Sequence, residues 1–457
     1  MTSLHTNTSF VRLFSGRLVT NVGDSLYTVG AMWLVYELTG SPLYTGIAGF
    51  LVQLPRAFQF LVGPLVDRWP LRPVLVGTQV TQAICVLVVP AAAAAGRLNV
   101  WIVLAVMPTL AFLNQFVYPA QSAALPRIVE DEQLVRANSL FSMAYQASDA
   151  VFNAASGLVI AAVGAVTLFA LNSATFAIAA LLFLGVIVPP LEADEDAGNE
   201  DGQTAAQTAT ATAGDESDGP AQSDPERPSS EHADATAGYL DDLFAGVRYV
   251  RGSTVVALVL GVMVTNVAFG ATLAVLPAFA DALGGPTVYG ALMAAYAGGL
   301  FVGTIGSSLV EDQPYGVVCA VGFTVASIAL AAALVVPNRY ATVGLFFLTF
   351  VPVGTFSVLF WSMLQSAVDE ALLGRVTSIT SSLGAVMLPV GSLGGGVLAG
   401  IIGVTPVIAI LALALGALSS YFVANSRLRR LPPIAEATES SLGLRPEAVP
   451  PSTNAAD

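Results

Sequence analysis

Residues 404–424 read Val404-Thr-Pro-Val-Ile-Ala-Ile-Leu-Ala-Leu-Ala-Leu-Gly-Ala-Leu-Ser-Ser-Tyr-Phe-Val-Ala424, without a charged side chain from one end to the other. At about 1.5 Å of rise per residue, a helix of this run crosses the roughly 30 Å hydrocarbon layer of a bilayer. Runs of the same kind recur toward the amino terminus at 378–402, 341–364, 316–336, 287–309 and 254–280, and again at 166–188, 139–162, 100–124, 73–95, 44–66 and 13–37. They are continuously apolar with Gly and Pro inside them, whereas the strands of a membrane barrel are shorter and alternate in polarity. The sequence therefore predicts an all-α membrane protein with twelve transmembrane helices. Composition agrees: of 457 residues, 55% are hydrophobic and 11% charged, and the mean hydropathy is +0.74, too little polar surface to cover a globule in water. The first run carries Asn21 and Asp24 and is too long for the apolar stretch of a signal peptide, so it is expected to remain as the first helix.

An even number of spans puts both ends of the chain on one side, and arginine placement selects that side. With both termini inside, the interior receives Arg12, Arg17, Arg68, Arg72, Arg127, Arg136, Arg248, Arg251, Arg375, Arg427, Arg429 and Arg430, against Arg97 and Arg339 outside. Both termini are expected in the cytoplasm of a cell whose cytoplasmic membrane holds the protein. The chain contains no lysine and its net charge is -14, a composition expected of a protein adapted to salt. Cys85 and Cys319 lie within apolar runs with no metal-ligand spacing and read as small buried hydrophobes.

The expected organisation is a six-helix bundle over 1–190, a disordered acidic cytoplasmic loop over 191–238, a second six-helix bundle over 239–430 and a disordered tail over 431–457. The loop is rich in Asp, Glu, Ala, Thr and Ser with almost no large apolar residue, so it cannot offset the entropy of ordering itself. The two bundles repeat one another. Val19-Thr-Asn21-Val22 recurs as Val264-Thr-Asn266-Val267, and Val129-Glu-Asp with Arg136 and Ser139 recurs as Val368-Asp-Glu with Arg375 and Ser378. Parallel repeats of this kind build secondary transporters, whose halves rock about a site near the midplane.

Three ionisable residues fall near the middle of spans: Asp24, Arg56 and Asp149. A charge at a helix centre costs on the order of 2.5–3.5 kcal/mol on insertion scales, which marks each as a functional candidate. One reading is a charge pair that locks helices together, Arg56 neutralising one carboxylate. The other is that Asp24 or Asp149 binds and releases a coupling proton, since desolvation favours the neutral form of a carboxyl group that no cation holds ionised. His5 and His232 both fall in soluble segments and cannot serve. Sodium coupling and uncoupled diffusion stay open. Polar residues gather on helical faces at three- and four-residue spacing: Thr20, Asp24 and Tyr27 in the first span, Ser142, Gln146, Asp149 and Asn153 in the fifth, Asn114, Gln115, Tyr118 and Gln121 in the fourth. The second half offers Asn266, Tyr296, Trp361 and Gln365. With Asn21, the substrate-cavity candidates are therefore Asn21, Tyr27, Asn114, Tyr118, Gln146, Asn266, Tyr296, Trp361 and Gln365. Gly384, Gly391, Gly394, Gly395, Gly396 and Gly400 repeat at small-xxx-small spacing and read as a close helix contact. No Gly-x-x-x-x-Gly-Lys stretch cradles a nucleotide and no metal-ligand cluster is present, so no cofactor, metal or nucleic acid is expected.

Between the second and third spans the chain reads Gly63-Pro-Leu65-Val-Asp67-Arg68-Trp-Pro70-Leu71-Arg72. This resembles the G-x-L-x-D-R-x-G-R-[KR] loop of the major facilitator superfamily, with Pro70 and Leu71 in place of Gly and Arg. Arg12-Leu13 through Asn21-Val-Gly-Asp24, Leu125-Pro126 with Arg136-Ala-Asn-Ser139, and Gly374-Arg375-Val376 look like the branch of drug and siderophore exporters that includes macrolide-efflux and enterobactin-exporter proteins. The resemblance runs over nearly all of 10–425. It implies alternating access, proton-driven export of a small molecule, and a conformational role for Gly63, Asp67, Arg68 and Arg72. The expected protein is thus a monomeric permease exporting a hydrophobic or amphipathic solute in exchange for protons, with an importer or uniporter of the same fold, or a transport-inactive sensor, as rivals.

Overall fold

A computed structural model describes residues 4–55, 69–189 and 253–444. The loop expected over 191–238, together with Arg56, Gly63, Asp67 and Arg68, lies outside the described residues, as does the side chain of Gln146. Among the described residues twelve helices of at least 12 residues follow one another: α1 Thr8–Thr39, α2 Pro42–Gln53, α3 Leu71–Ala94, α4 Val100–Ile128, α5 Asp131–Val163, α6 Ala165–Leu184, α7 Thr254–Leu283, α8 Pro286–Gly306, α9 Tyr315–Val335, α10 Arg339–Ala367, α11 Glu370–Ile402 and α12 Val404–Ala424. Among the described residues nine helices are long and apolar enough to cross a bilayer, and ten if the bent α5 counts as one span. The exceptions are instructive. α1 and α5 are long but carry the polar residues of the interior, and α2 is 12 residues long as described.

The repeat seen in sequence is built into the helix ends. Asn99 caps α4 by accepting from the backbone N–H of Ile102, and Asn338, at the corresponding place in the second half, caps α10 by accepting from Tyr340 and Ala341. Gly164 joins α5 to α6 at φ 82°, and its counterpart Gly403 joins α11 to α12 at φ 89°. A left-handed backbone at both joints admits glycine with little cost and few other residues. Asn21 in α1 donates to the carbonyl of Tyr145 in α5, and Asn266 in α7 donates to that of Gly384 in α11. Tyr145 and Gly384 are again equivalent by the interval that relates Arg136 to Arg375.

α1 runs from one face of the molecule, the start face, to the far face. The named contacts between the bundles gather in the far half. Thr45 of α2 donates its hydroxyl to the carbonyl of Ala274 in α7 at 2.5 Å, and Ser392 of α11 donates to Gly46 at 3.2 Å. Backbone meets backbone here: a Cβ on Gly46 would fall 2.9 Å from the Cα of Gly396, and one on Gly157 in α5 would fall 2.5 Å from the Cα of Gly290 in α8. Trp33 lies 5.7 Å from the Tyr289 ring, and Tyr36 donates to Asp281 at 3.4 Å. One apolar core accordingly runs through the far half of the first bundle and from face to face of the second, while the start half of the first bundle has a core of its own around Phe10, Leu13, Leu75, Phe141 and Phe183. The glycine run of α11 serves as close packing: Gly391 sits on Val267, Gly395 on Ala271 and Gly396 on Gly46, whereas Gly394 and Gly400 face open space.

The tail departs from expectation. Rather than leaving the bundle at 431, the chain up to Leu444 folds onto the start face of the second bundle through two short helices, α13 Ser426–Arg429 and α14 Glu439–Leu442. Tyr315 donates its backbone N–H to Pro432, and Leu428, Leu431 and Leu442 are buried. The polar composition of the segment hides these few leucines, which is why it reads as disordered.

Candidate functional site

The interior of the first bundle is built on one face of α1. Arg17, Thr20 and Asp24 are spaced three, four and seven apart and so stack along one side of the helix. Arg17 is only 9% exposed. Its Nε donates to Gln121 Oε1 of α4 at 2.7 Å and to the Tyr145 hydroxyl of α5 at 3.2 Å, and its guanidinium lies 5.6 Å from the centre of the Tyr145 ring. The Tyr145 hydroxyl in turn donates to Gln121 Oε1 at 2.6 Å. Among the described residues no carboxylate lies within ion-pairing distance of Arg17, so dipoles and a ring face carry a buried charge.

Asp24, half-buried two turns further along, accepts from Asn114 Nδ2 of α4 at 3.3 Å. α6 presses Asn172 and Thr175 against the adjacent Gly23, where any Cβ would strike them. Asp149 of α5 is exposed, at the boundary with the second bundle. Its Oδ1 accepts from the Ser25 hydroxyl at 2.5 Å and from Asn21 Nδ2 at 3.5 Å, both on α1. Across the boundary, Tyr296 of α8, Phe269 of α7 and Phe350 of α10 form a ring cluster with centroids 4.9–5.5 Å apart.

Of the residues singled out in sequence, the structure pairs Asn21 with Asp149 and Asn114 with Asp24 around α1, while Tyr296 lies on α8, which touches α5 backbone to backbone at Gly290 and Gly157. Five others part from that group. Tyr27 is buried inside the first bundle, its ring edge-on to Phe169 at 5.2 Å, and so does not line the space between bundles. Tyr118 is exposed on α4, and Gln365 is exposed near the start-face end of α10. Trp361 packs edge-on to Phe360 at 5.4 Å, and Asn266 spends its amide on Gly384. Arg72 donates to the carbonyl of Leu184, tying the beginning of α3 to the end of α6. Arg17 is the residue that sequence reading misassigns: counted with the flanking arginines for orientation, it is in fact interior. The three-and-four spacing of Arg17, Thr20 and Asp24 is the signal that marks it. Gln79 and Gln82 of α3 are also fully buried, with both amide atoms unpartnered among the described residues, a cost of about 1–3 kcal/mol per group. Nothing in their sequence surroundings sets them apart.

Two parallel helical bundles around an acid-bearing interior make the fold of a membrane transporter. The family profile described as Major Facilitator Superfamily matches residues 13–392, and the chain belongs to that superfamily. It is similar, at 29% identity over 147 residues, to macrolide efflux protein A of Streptococcus pyogenes, the match covering 31% of this chain and 36% of that protein. The same identity over 148 residues relates it to the MFS-type transporter YjbB of Bacillus subtilis strain 168, covering 32% of this chain and 36% of that one. These alignments therefore span about a third of each relative. Among solved structures, a bacterial homologue of the iron transporter ferroportin in an inward-facing state superposes with TM-score 0.64 at 14% identity, covering 93% of this chain and 99% of that one. A bacterial homologue of the human lysosomal transporter Spinster, inward-facing and unoccupied, gives 0.62 at 12% identity over 94% and 97%. At these identities the likeness speaks for the fold alone.

Proposed function

We propose that this permease exports a hydrophobic or amphipathic small molecule in exchange for protons, with Asp24 and Asp149 as the acids that load and release them. The observation that carries the reading is the pair of carboxylates around α1, neither within ion-pairing distance of a cation among the described residues, one of them at the bundle boundary. A carboxyl group so placed can change charge state as the bundles rock, because its solvation changes with the opening. The start face carries Arg12, Arg72, Arg127, Arg136, Arg427, Arg429 and Arg430, which supports placing it, and both termini, in the cytoplasm. The bundle seam then closes the outer side. The reading makes one chain the working unit.

The test is transport in proteoliposomes loaded with ethidium and related fluorescent lipophiles, driven by a pH step, for the parent chain, Asp24→Asn and Asp149→Asn. Flux in the parent and its loss in both variants is the expected result. Equal pH-driven flux in all three removes the two acids from the mechanism, and flux driven by a sodium gradient instead replaces the coupling ion. Substrate movement only toward the start face makes the chain an importer.

A further inference from the structure

Seven buried side-chain polar atoms have no hydrogen-bond partner among the described residues, and six of them fall in one wedge of the first bundle. They are Oε1 and Nε2 of Gln79 and of Gln82 on α3, Nδ2 of Asn172 on α6 and the Tyr27 hydroxyl on α1. All four side chains are buried, the two glutamines and Asn172 completely. Contacts between the helices set them at one level. Ser173, next to Asn172, donates its hydroxyl to the carbonyl of Ala83, next to Gln82, at 2.9 Å. Asn172 itself lies against α1, its Oδ1 2.4 Å from where a Cβ on Gly23 would sit. Tyr27 stands one helical turn beyond Gly23 and packs on Phe169, which precedes Asn172 by three residues. Gln79 precedes Ala83 by one turn on the buried face of α3. Asp24 borders the group, following Gly23 directly and standing three residues from Tyr27 on the same side of α1. The contacts that seat the wedge run among α1, α3 and α6, whereas backbone contact with the second bundle is made by Gly46 of α2 and Gly157 of α5.

We propose that this wedge of α1, α3 and α6 binds a cluster of water molecules inside the first bundle, and that the cluster hydrates Asp24 from the side away from the second bundle. The chemistry of the orphaned atoms selects the ligand. A primary amide brings N–H donors and an acceptor oxygen, and on both glutamines both kinds are unpartnered. Turning either amide over exchanges the two atoms and satisfies neither. A metal cation meets the oxygens and leaves the N–H groups, an anion does the reverse, and an apolar molecule serves none of them. Water donates and accepts at once, and two to four polar partners are what a buried water requires. The cluster stands independently of the export reading. Its use at Asp24 rests on that reading: hydrated from within the bundle, the carboxyl group can change its charge state while a solute occupies the space between bundles.

Water itself is the probe. Brief X-ray irradiation of the purified full-length protein makes hydroxyl radicals from water where it is bound, and mass spectrometry reads which side chains they oxidise. Tyr27 is expected to be oxidised about tenfold faster than Phe346, an equally sealed ring of the second bundle. In the Gln79→Leu, Gln82→Leu double variant that rate falls to the Phe346 level, while Gln82→Asn, which keeps an amide, retains it. Parent-level oxidation of the exposed Tyr340 shows that the variants are folded. Thermal unfolding gives an independent sign. In a dry wedge the two leucines remove four orphaned atoms and raise the unfolding temperature; in a hydrated one they displace water, strand Tyr27 and Asn172, and lower it. Tyr27 oxidised no faster than Phe346, or a double variant that unfolds at a higher temperature than the parent, overturns the cluster. In proteoliposomes the double variant is expected to slow pH-driven ethidium efflux about tenfold, with gradient-free ethidium binding at the parent level and efflux restored in Gln82→Asn. Unchanged efflux overturns the role at Asp24. A parent protein that shows labelled Tyr27 but no pH-driven flux removes that role together with the export reading and leaves the water in place.

Discussion

The two bundles share a backbone plan and differ in what they place inside it. α1 and α7 both carry Val-Thr-Asn-Val, and in both the asparagine donates to the same equivalent carbonyl of the partner helix. Three residues past that asparagine, α1 has Asp24 where α7 has Phe269, and the place in α11 that matches Asp149 is Leu388. The first bundle thus became a polar interior around Arg17, Asp24 and Asp149, and the second an aromatic one around Phe269, Tyr296 and Phe350. The lesson is a division of labour: scaffold residues such as caps, joints and the asparagine clip are kept in duplicate, while charge is concentrated on one side of the boundary.

The comparison is broken most directly at its charges. Asp24→Asn is expected to reduce pH-driven efflux of ethidium to the level of empty liposomes, whereas Leu388→Asn, at the place in the second repeat that matches Asp149, keeps most of the flux. Loss in both, or in neither, ends the asymmetry. Next comes polar satisfaction. Gln121→Leu leaves the Arg17 Nε and the Tyr145 hydroxyl without their shared acceptor and is expected to cost about 2–3 kcal/mol. Gln365→Leu, on the exposed surface of the second bundle, stays within about 0.5 kcal/mol. Thermal unfolding of the two purified variants reads the difference.

The seam between bundles gives a third measurement. Gly46→Val drives a side chain into the Gly396 backbone and is expected to disfavour the closed far face by about 1–3 kcal/mol. With both native cysteines replaced by serine, Met32→Cys beside Gly49 is then labelled from the far face by an impermeant maleimide about tenfold faster. An unchanged rate would place the gate elsewhere. The smallest effect belongs to the tail, a feature with no described counterpart on the first bundle. Thr438 and Ser441 form a reciprocal cap on α14, so Thr438→Ala costs about 0.5–1 kcal/mol. Limited proteolysis between 431 and 444 should quicken while efflux is unaltered.

Much of this was legible in the chain because lipid imposes a simple rule. Every backbone polar group within the hydrocarbon must be satisfied internally, so a long uncharged run has little choice but helix, and among the described residues the runs appear as helices close to their expected places, the second only over its first half, 56–66 lying outside the described residues. Asp24 and Asp149 stood out for the same reason, since a carboxylate inside such a run is conspicuous. Arg17 did not, because an arginine near the end of a span is equally at home at the interface, and only Gln121 and Tyr145, contributed by two other helices, show it to be interior. The leucines that anchor the tail were equally hidden, being too few to raise the local hydropathy.

Sequence alone determined the helical class, the duplication and the uneven distribution of charge, because these follow from side-chain solvation and spacing along one chain. Tertiary structure decided which residues meet: Asp149 with Ser25 and Asn21, Tyr27 turned inward to Phe169, Tyr296 packed on Phe269 and Phe350. Helices are long-range objects in a bundle, and the partners of a side chain come from segments far away in sequence, so contact is a property of packing that no single segment carries.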